Sequence, residues 1–182
     1  MLKRLILVTM LLVLMISSAY SFDNSRKGFV LGGGIGFAPV AKWELDILSS
    51  NDFSESGFGA NFIIGYAWDD NNMIVYEGNM VAFKTANINF VQGFNGAAWY
   101  HYFGPAGQTF FSTAGLGVYI FDPEDVKQND LGGAILLGGG YEFSPHWQVG
   151  AYVSAGKTKD PIISTFKFNH LNFSILISGV AF

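Results

Sequence analysis

Three kinds of residue in this chain have the chemistry and spacing to be read as a site. Glycine-rich runs come first: LGGGIGF at Leu31–Phe37, AGLGVYIF at Ala114–Phe121 and LLGGGYEF at Leu136–Phe143. Backbone amides in such runs can cradle a phosphate, but residues 32–36 read G-G-G-I-G, without G-x-G-x-x-G spacing. No helix-capable segment follows, so the strand–turn–helix context of a dinucleotide site is missing. The histidines are His101, His146 and His170. His170 and Ser174 share one strand face but stand roughly 13 Å apart at the rise of an extended chain, too far for direct proton transfer. His101 has no evident serine and acid partners, His146 sits in a short turn, and only a triad assembled from distant positions stays open. Acidic residues gather at Glu44, Asp46, Asp52 and Glu55, and again at Asp122, Glu124, Asp125 and Asp130, without the spacing of a calcium loop. With no cysteine, thiol chemistry and cysteine-held zinc are excluded. No catalytic, metal or cofactor site is expected, and three glycine runs imply a use other than one nucleotide loop.

That use follows from the elements around them. Charged residues are 13% of the 182-residue chain and hydrophobic ones 50%, with 16% aromatic. This is about half the charge of an ordinary soluble domain. The formal net charge of −4 gives no basic footprint for nucleic acid. Beyond residue 25 the pattern is alternation with period two, interrupted by turn residues. Phe58, Ala60, Phe62, Ile64, Tyr66 and Trp68 form one face of a strand whose other face is Gly57, Gly59, Asn61, Ile63, Gly65 and Ala67. Eight such strands are expected, near 26–40, 55–69, 73–84, 87–103, 109–121, 131–143, 147–158 and 166–182. Short turns (DDNN, GPAGQ, SPH) follow the second, fourth and sixth; longer polar links follow the first, fifth and seventh.

Outward rows are then apolar and inward rows small or polar. Gly32, Gly34 and Gly36 belong to the inward row, where glycine makes room beside large side chains. Asn61, Glu77, Asn79, Asn95, His101, Glu142 and Tyr152 are the expected lumen-lining residues, with Asn89, Gln148, Ser154, His170, Asn172 and Ser174 behind them. Aromatics crowd the short turns, and Tyr66, Trp68, Tyr100, Tyr102, Tyr141, Phe143 and Trp147 are expected at a lipid–water interface, where an apolar ring with a polar tip is favoured.

The N-terminus has Lys3 and Arg4, an apolar run from Leu5 to Ile16 and small residues in SSAYS. This reads as a signal peptide over 1–21, cleaved after Ala19 or Ser21; the apolar run is shorter than the ~20 residues of a membrane helix. The chain ends LNFSILISGVAF, with Leu171, Phe173, Ile175 and Ile177 on one face but Val180 and Phe182 on the other, so a bulge is expected between them.

With its GYAW and GGYEF segments before the turns, its hairpin periodicity and its terminal Phe182, nearly all of the chain after the signal resembles the small bacterial outer-membrane β-barrels of the OmpA-like, OmpX-like and opacity-type kind. The resemblance implies an all-β, eight-stranded antiparallel up-and-down transmembrane β-barrel over residues 22–182 in a Gram-negative outer membrane. It implies Phe182 as an assembly signal read by the barrel-assembly machinery, with outer-membrane lipid and lipopolysaccharide as the surroundings, no nucleic acid and a monomer. A peptidoglycan-binding domain like that of full-length OmpA-like proteins is not expected after the barrel. The expected role is structural or surface interaction. A narrow porin-like channel is the alternative, then a lipid-acting enzyme, although the His-x-Ser pattern of outer-membrane lipid deacylases is missing. A soluble lipocalin-like barrel comes last.

Overall fold

Period-two alternation with one apolar face leaves a strand only two stable environments, a sheet interior and a lipid or protein surface. In the computed structural model, which describes residues 25–45, 53–85, 87–123, 131–159 and 167–182, every such segment is a strand. They are β1 (Gly28–Leu45), β2 (Phe53–Ala67), β3 (Asn72–Thr85), β4 (Ile88–Tyr102), β5 (Thr109–Pro123), β6 (Gly132–Ser144), β7 (Trp147–Lys159) and β8 (Lys167–Ala181). Each pairs antiparallel with the next, and β8 returns to β1, so the sheet is a closed barrel. Closure gives every strand two hydrogen-bonded neighbours and removes the edges that invite aggregation. The expected signal peptide at 1–21, its cleavage site, and the loop acids Asp46, Asp52, Glu124, Asp125 and Asp130 lie outside the described residues.

Outward positions carry Phe29, Ile35, Phe37, Phe58, Phe62, Leu116, Leu137 and Ile177, all exposed, with Leu116 at 73%. A belt of that extent is unstable against water and suited to hydrocarbon. The inward partners are Val30, Ile63, Phe94, Leu136, Leu176 and the buried polar side chains.

The strand expected to end near residue 40 runs on to Leu45, and an irregularity explains how. Register shifts between Ala38 and Ala41 against β2, and between Phe37 and Val40 against β8. Pro39, which has no N–H for the ladder, sits at the shift. One extra residue flips all later side chains to the opposite face. Ala38, Ala41 and Trp43 therefore pack inside, while Lys42 and Glu44 point out. The bulge expected in β8 is absent; its register with β7 is continuous from Lys167 to Gly179, Val180 is an inward residue of the unbroken strand, and Phe182, just past its end, is buried as well.

The turns carry their own chemistry. Asp69 Oδ1 accepts hydrogen bonds from the backbone N–H of Asn71 (2.8 Å) and Asn72 (2.7 Å) and from Asn72 Nδ2 (3.0 Å), fixing the β2–β3 turn. Partial loss of hydration raises the Asp69 carboxyl, but these bonds and Lys27 outweigh it and hold the group below its ordinary 3.8. The folded pKa is depressed, so the turn's stabilisation is complete above 3.8 and fades as pH falls through the lower folded value. Amide-exchange protection at Asn71 and Asn72, corrected for intrinsic rates, is expected to hold down to pH 3.8 and fall below it. Unchanged protection through that window, or the same fall in Asp69→Ala, would remove the carboxylate from the explanation.

His146 adopts φ 70° in the β6–β7 turn and is held by β8: its carbonyl accepts the Val180 N–H (2.9 Å) and its Nδ1 lies 3.0 Å from the Val180 carbonyl oxygen. Its ring packs 4.6 Å from that of Phe182. His146 is therefore an anchor for the last strand, not a solvated turn residue.

Candidate functional site

The only enclosed surface eight strands can build is the lumen, too narrow for more than packed side chains or a thin path. At the short-turn end its floor is Arg26, just before β1 and 1% exposed. Its guanidinium donates to Glu142 Oε2, to the Asp70 carbonyl (2.6 Å) and to the Gly104 carbonyl (3.0 Å). Its backbone N–H donates to Asp70 Oδ1 (3.0 Å). The guanidinium also lies 4.0 Å from the centre of the Tyr102 ring, a cation–π contact. Tyr102 Oη in turn donates to Gln148 Oε1 (2.8 Å). One side chain thus ties two turns to β4 and β6, and through Tyr102 to β7.

Above it lies Glu77, fully buried, accepting from Tyr100 Oη (2.7 Å), Asn79 Nδ2 (3.4 Å) and Asn61 Nδ2 (3.5 Å). Ser178 Oγ donates to Asn61 Oδ1 (3.2 Å), and Tyr152 is buried in the same core. Higher still, Gln92 Nε2 donates to Asn172 Oδ1 (2.5 Å) and Asn172 Nδ2 to the Gln92 carbonyl (3.3 Å). His170 places Nδ1 3.2 Å from Gln92 Oε1 and Nε2 2.8 Å from Thr158 Oγ1. An amide oxygen only accepts, so these partners assign the proton to Nδ1, with Nε2 accepting from the threonine. Tyr119 stacks on the His170 ring at 4.8 Å.

The loop end is closed by aromatics. Trp43 stacks on Phe83 (5.3 Å) and on Phe90 (5.7 Å), Phe83 on Phe90 (5.4 Å), and Phe90 on Phe121 (5.6 Å).

Of the residues expected in the lumen, Asn61, Glu77, Asn79, Glu142 and Tyr152 are buried inside the barrel. Asn95 and His101 are not there. Asn95 is on the outer wall, bonded to Tyr76 Oη (3.0 Å) and Met80 Sδ (3.2 Å). His101 is also outside, Nδ1 2.9 Å from Asn72 Oδ1 and its ring between those of Trp99 and Phe103. Asn89 is likewise exposed. Among the interface aromatics, Tyr66, Trp68, Phe143 and Trp147 are exposed on the outer wall, and Tyr141 packs there against Phe110 at 4.9 Å. Tyr100 and Tyr102 are the correction: both are buried in the lumen.

These errors are one error. Both faces of β4 mix polar and apolar residues, so its alternation has two readings. A buried carboxylate and a buried amide need hydroxyl donors, and Tyr100 and Tyr102 supply them to Glu77 and Gln148. Satisfying those groups turns the even face of β4 inward and sends Asn89, Asn95 and His101 out. Arg26 was missed outright. The signal for it was thin: an inward Glu142 near a short turn needs a cation, and Arg26 is the only arginine after the expected signal peptide.

The His170–Ser174 pairing weighed from the sequence does not form. His170 faces Thr158 and Gln92, His101 faces Asn72, and no carboxylate meets either ring in these bonds.

A family model described as outer membrane protein beta-barrel domain matches residues 9–177. The fold is similar to that of Neisserial surface protein A (NspA), with a TM-score of 0.56 and 16% identity over 84% of this chain and 96% of that one. It is also similar to Ail, the attachment invasion locus protein of Yersinia pestis, with a TM-score of 0.52 and 13% identity over 84% and 99%. No curated protein sequence matches the chain.

Proposed function

The chain belongs to the outer membrane protein β-barrel domain family, and from that premise we propose that it is a non-conducting barrel of the outer membrane with a structural or surface-interaction role. The observation that carries the reading is closure at both ends of the lumen: Arg26 with Glu142 and Tyr102 at the short turns, and the Trp43–Phe83–Phe90–Phe121 stack at the loops. Between them the polar side chains bind mainly to one another. In this reading the signal peptide at 1–21 is removed, the short turns face the periplasm, the long loops face outward, and Phe182 serves the assembly machinery. The barrel acts as a monomer among lipid and lipopolysaccharide, without nucleic acid.

One observation sits on the side of a narrow channel. Tyr119 Oη, Tyr152 Oη, Ser154 Oγ and Ser174 Oγ are buried and make no close, well-aligned hydrogen bond among the described residues, and a polar row of that kind suits a hydrated path. Planar-bilayer recording decides between the two. The folded barrel, identified by heat-modifiable gel mobility, is expected to show no discrete openings. Reproducible openings of one size, lost in Glu77→Gln, would establish the channel instead.

A further inference from the structure

The register lines up three outward side chains across the outer wall. Asn72 of β3 is directly opposite His101 of β4, and His101 directly opposite Ser112 of β5. Directly paired residues carry their Cβ atoms about 4.5–5.5 Å apart, so each side chain is a neighbour of the next. Ser112 is exposed and His101 half-buried.

The bonds around Asn72 assign the protons of this row. Asn72 Nδ2 donates to both carboxylate oxygens of Asp69 (3.0 and 3.1 Å), and its Oδ1 accepts from Trp99 Nε1 (3.2 Å). A carboxylate only accepts and an indole N–H only donates, so the amide has one orientation. His101 Nδ1, 2.9 Å from the same Oδ1, can meet it only as an N–H. Nε2 is then a free base, and the geometry of the ring turns it away from β3, with Ser112 the hydroxyl on the β5 side. Phe103 (4.9 Å, edge-on) and Trp99 (5.8 Å) hold the imidazole in place. A fixed tautomer, a fixed ring and a neighbouring hydroxyl are what a serine nucleophile requires of its histidine.

We propose that this row is a hydrolytic site for the acyl ester of a membrane lipid, with Ser112 as nucleophile, His101 as general base and Asn72 as positioning residue. It goes beyond the structural role and does not depend on whether the lumen conducts. Trp99, Phe103 and Phe110 are exposed around the row and set it at the lipid–water interface, the depth of a lipid's ester carbonyls. Gly139, opposite Ser112 on β6, leaves the hydroxyl uncovered on its far side; an added Cβ would stand 3.9 Å from Ser112 Cα. Ser112 Oγ attacks the carbonyl carbon as its proton passes to His101 Nε2. That proton goes to the alcohol oxygen as the ester C–O bond breaks. Water, deprotonated by the same nitrogen, then attacks the acyl-serine, releasing the fatty acid and restoring the hydroxyl. The backbone N–H groups beside Ser112 belong to the ladder with β4 and β6. No amide is therefore ready for the oxyanion, and turnover is slower by about 10²–10³ than with such a donor.

The full chain, folded in phosphatidylcholine nanodiscs and checked by heat-modifiable mobility, is treated with a fluorophosphonate, and the labelled residue is located by peptide mass spectrometry. Label is expected on Ser112 and is lost in Ser112→Ala. His101→Gln should slow labelling at least ~100-fold, whereas Ser144→Ala, at the end of β6, should label as wild type. Asn72→Ala should slow it at least ~10-fold and remove the Nδ1–H tautomer of His101 from imidazole nitrogen NMR spectra; a folded Asn72→Ala barrel that keeps the tautomer removes Asn72 from the site. Ser112-dependent release of fatty acid from the nanodisc phospholipid is expected to exceed hydrolysis of a water-soluble butyrate ester. No label on Ser112, or equal labelling of wild type and His101→Gln, overturns the site. Turnover of the soluble ester alone overturns the lipid as its substrate.

Discussion

Arg26→Ala is expected to lower the unfolding free energy of the barrel by about 3–5 kcal/mol, the usual consequence of removing one partner of a buried ion pair. Glu142 loses the cation it pairs with. The carbonyls of Asp70 and Gly104 lose their donor, and the Tyr102 ring loses its cation. The measurement is equilibrium urea unfolding in micelles, followed by heat-modifiable mobility. Arg26→Lys should rescue little, because one ammonium cannot reach a carboxylate and two carbonyls while lying flat on a ring. The double variant Arg26→Met, Glu142→Leu separates two meanings of that loss. A buried pair replaced by packed apolar side chains is often close to neutral, so the double variant should recover most of the stability lost in Arg26→Ala. If Arg26→Ala unfolds within about 1 kcal/mol of wild type, the short-turn end is not held by this residue, and its closure must be explained otherwise.

The same cluster shows where sequence reading stops. A strand's alternation reports two faces but not which face is inside. Where one face was continuously apolar, as from Phe58 to Trp68, the lipid side was legible at once. In β4 both faces carried aromatic and polar residues, and the choice was made by Glu77 of the neighbouring β3 and, across the barrel, by Gln148 of β7, both needing hydroxyl donors. Contacts at that sequence separation leave no local trace. Arg26 is an extreme case, 116 residues from its carboxylate. Pro39 is the opposite case: the residue that announces the bulge was visible, but the flip it causes shows only in the register, and it decides that Trp43 joins the lumen and Lys42 the outer wall. The number of strands, the closed antiparallel order and the apolar belt were legible because each depends on local period and turn chemistry alone.

The glycines of LGGGIGF give the second large expectation, because neighbours in that run should respond in opposite ways. At Gly34 an added Cβ would fall 2.7 Å from the Ile177 carbonyl oxygen and 2.7 Å from Asn61 Oδ1, and closer still to Ser178 Oγ. Ser178 could rotate, but only by giving up its bond to Asn61, which also donates to Glu77. The backbone oxygen of β8 cannot rotate away. Gly34→Val therefore overpacks the β1–β8 seam and unties the Glu77 network, for a loss of at least about 3 kcal/mol. At Gly33 the side chain would point outward, with only the Asn61 carbonyl oxygen at 3.3 Å, and a β-branched residue suits a strand face against lipid. Gly33→Val should stay within about 1 kcal/mol of wild type. Urea midpoints of the two variants, measured side by side, make the test. If the two fall together, crowding in the lumen is not why glycine stands at residue 34, and the run reflects some property of the β1 backbone itself.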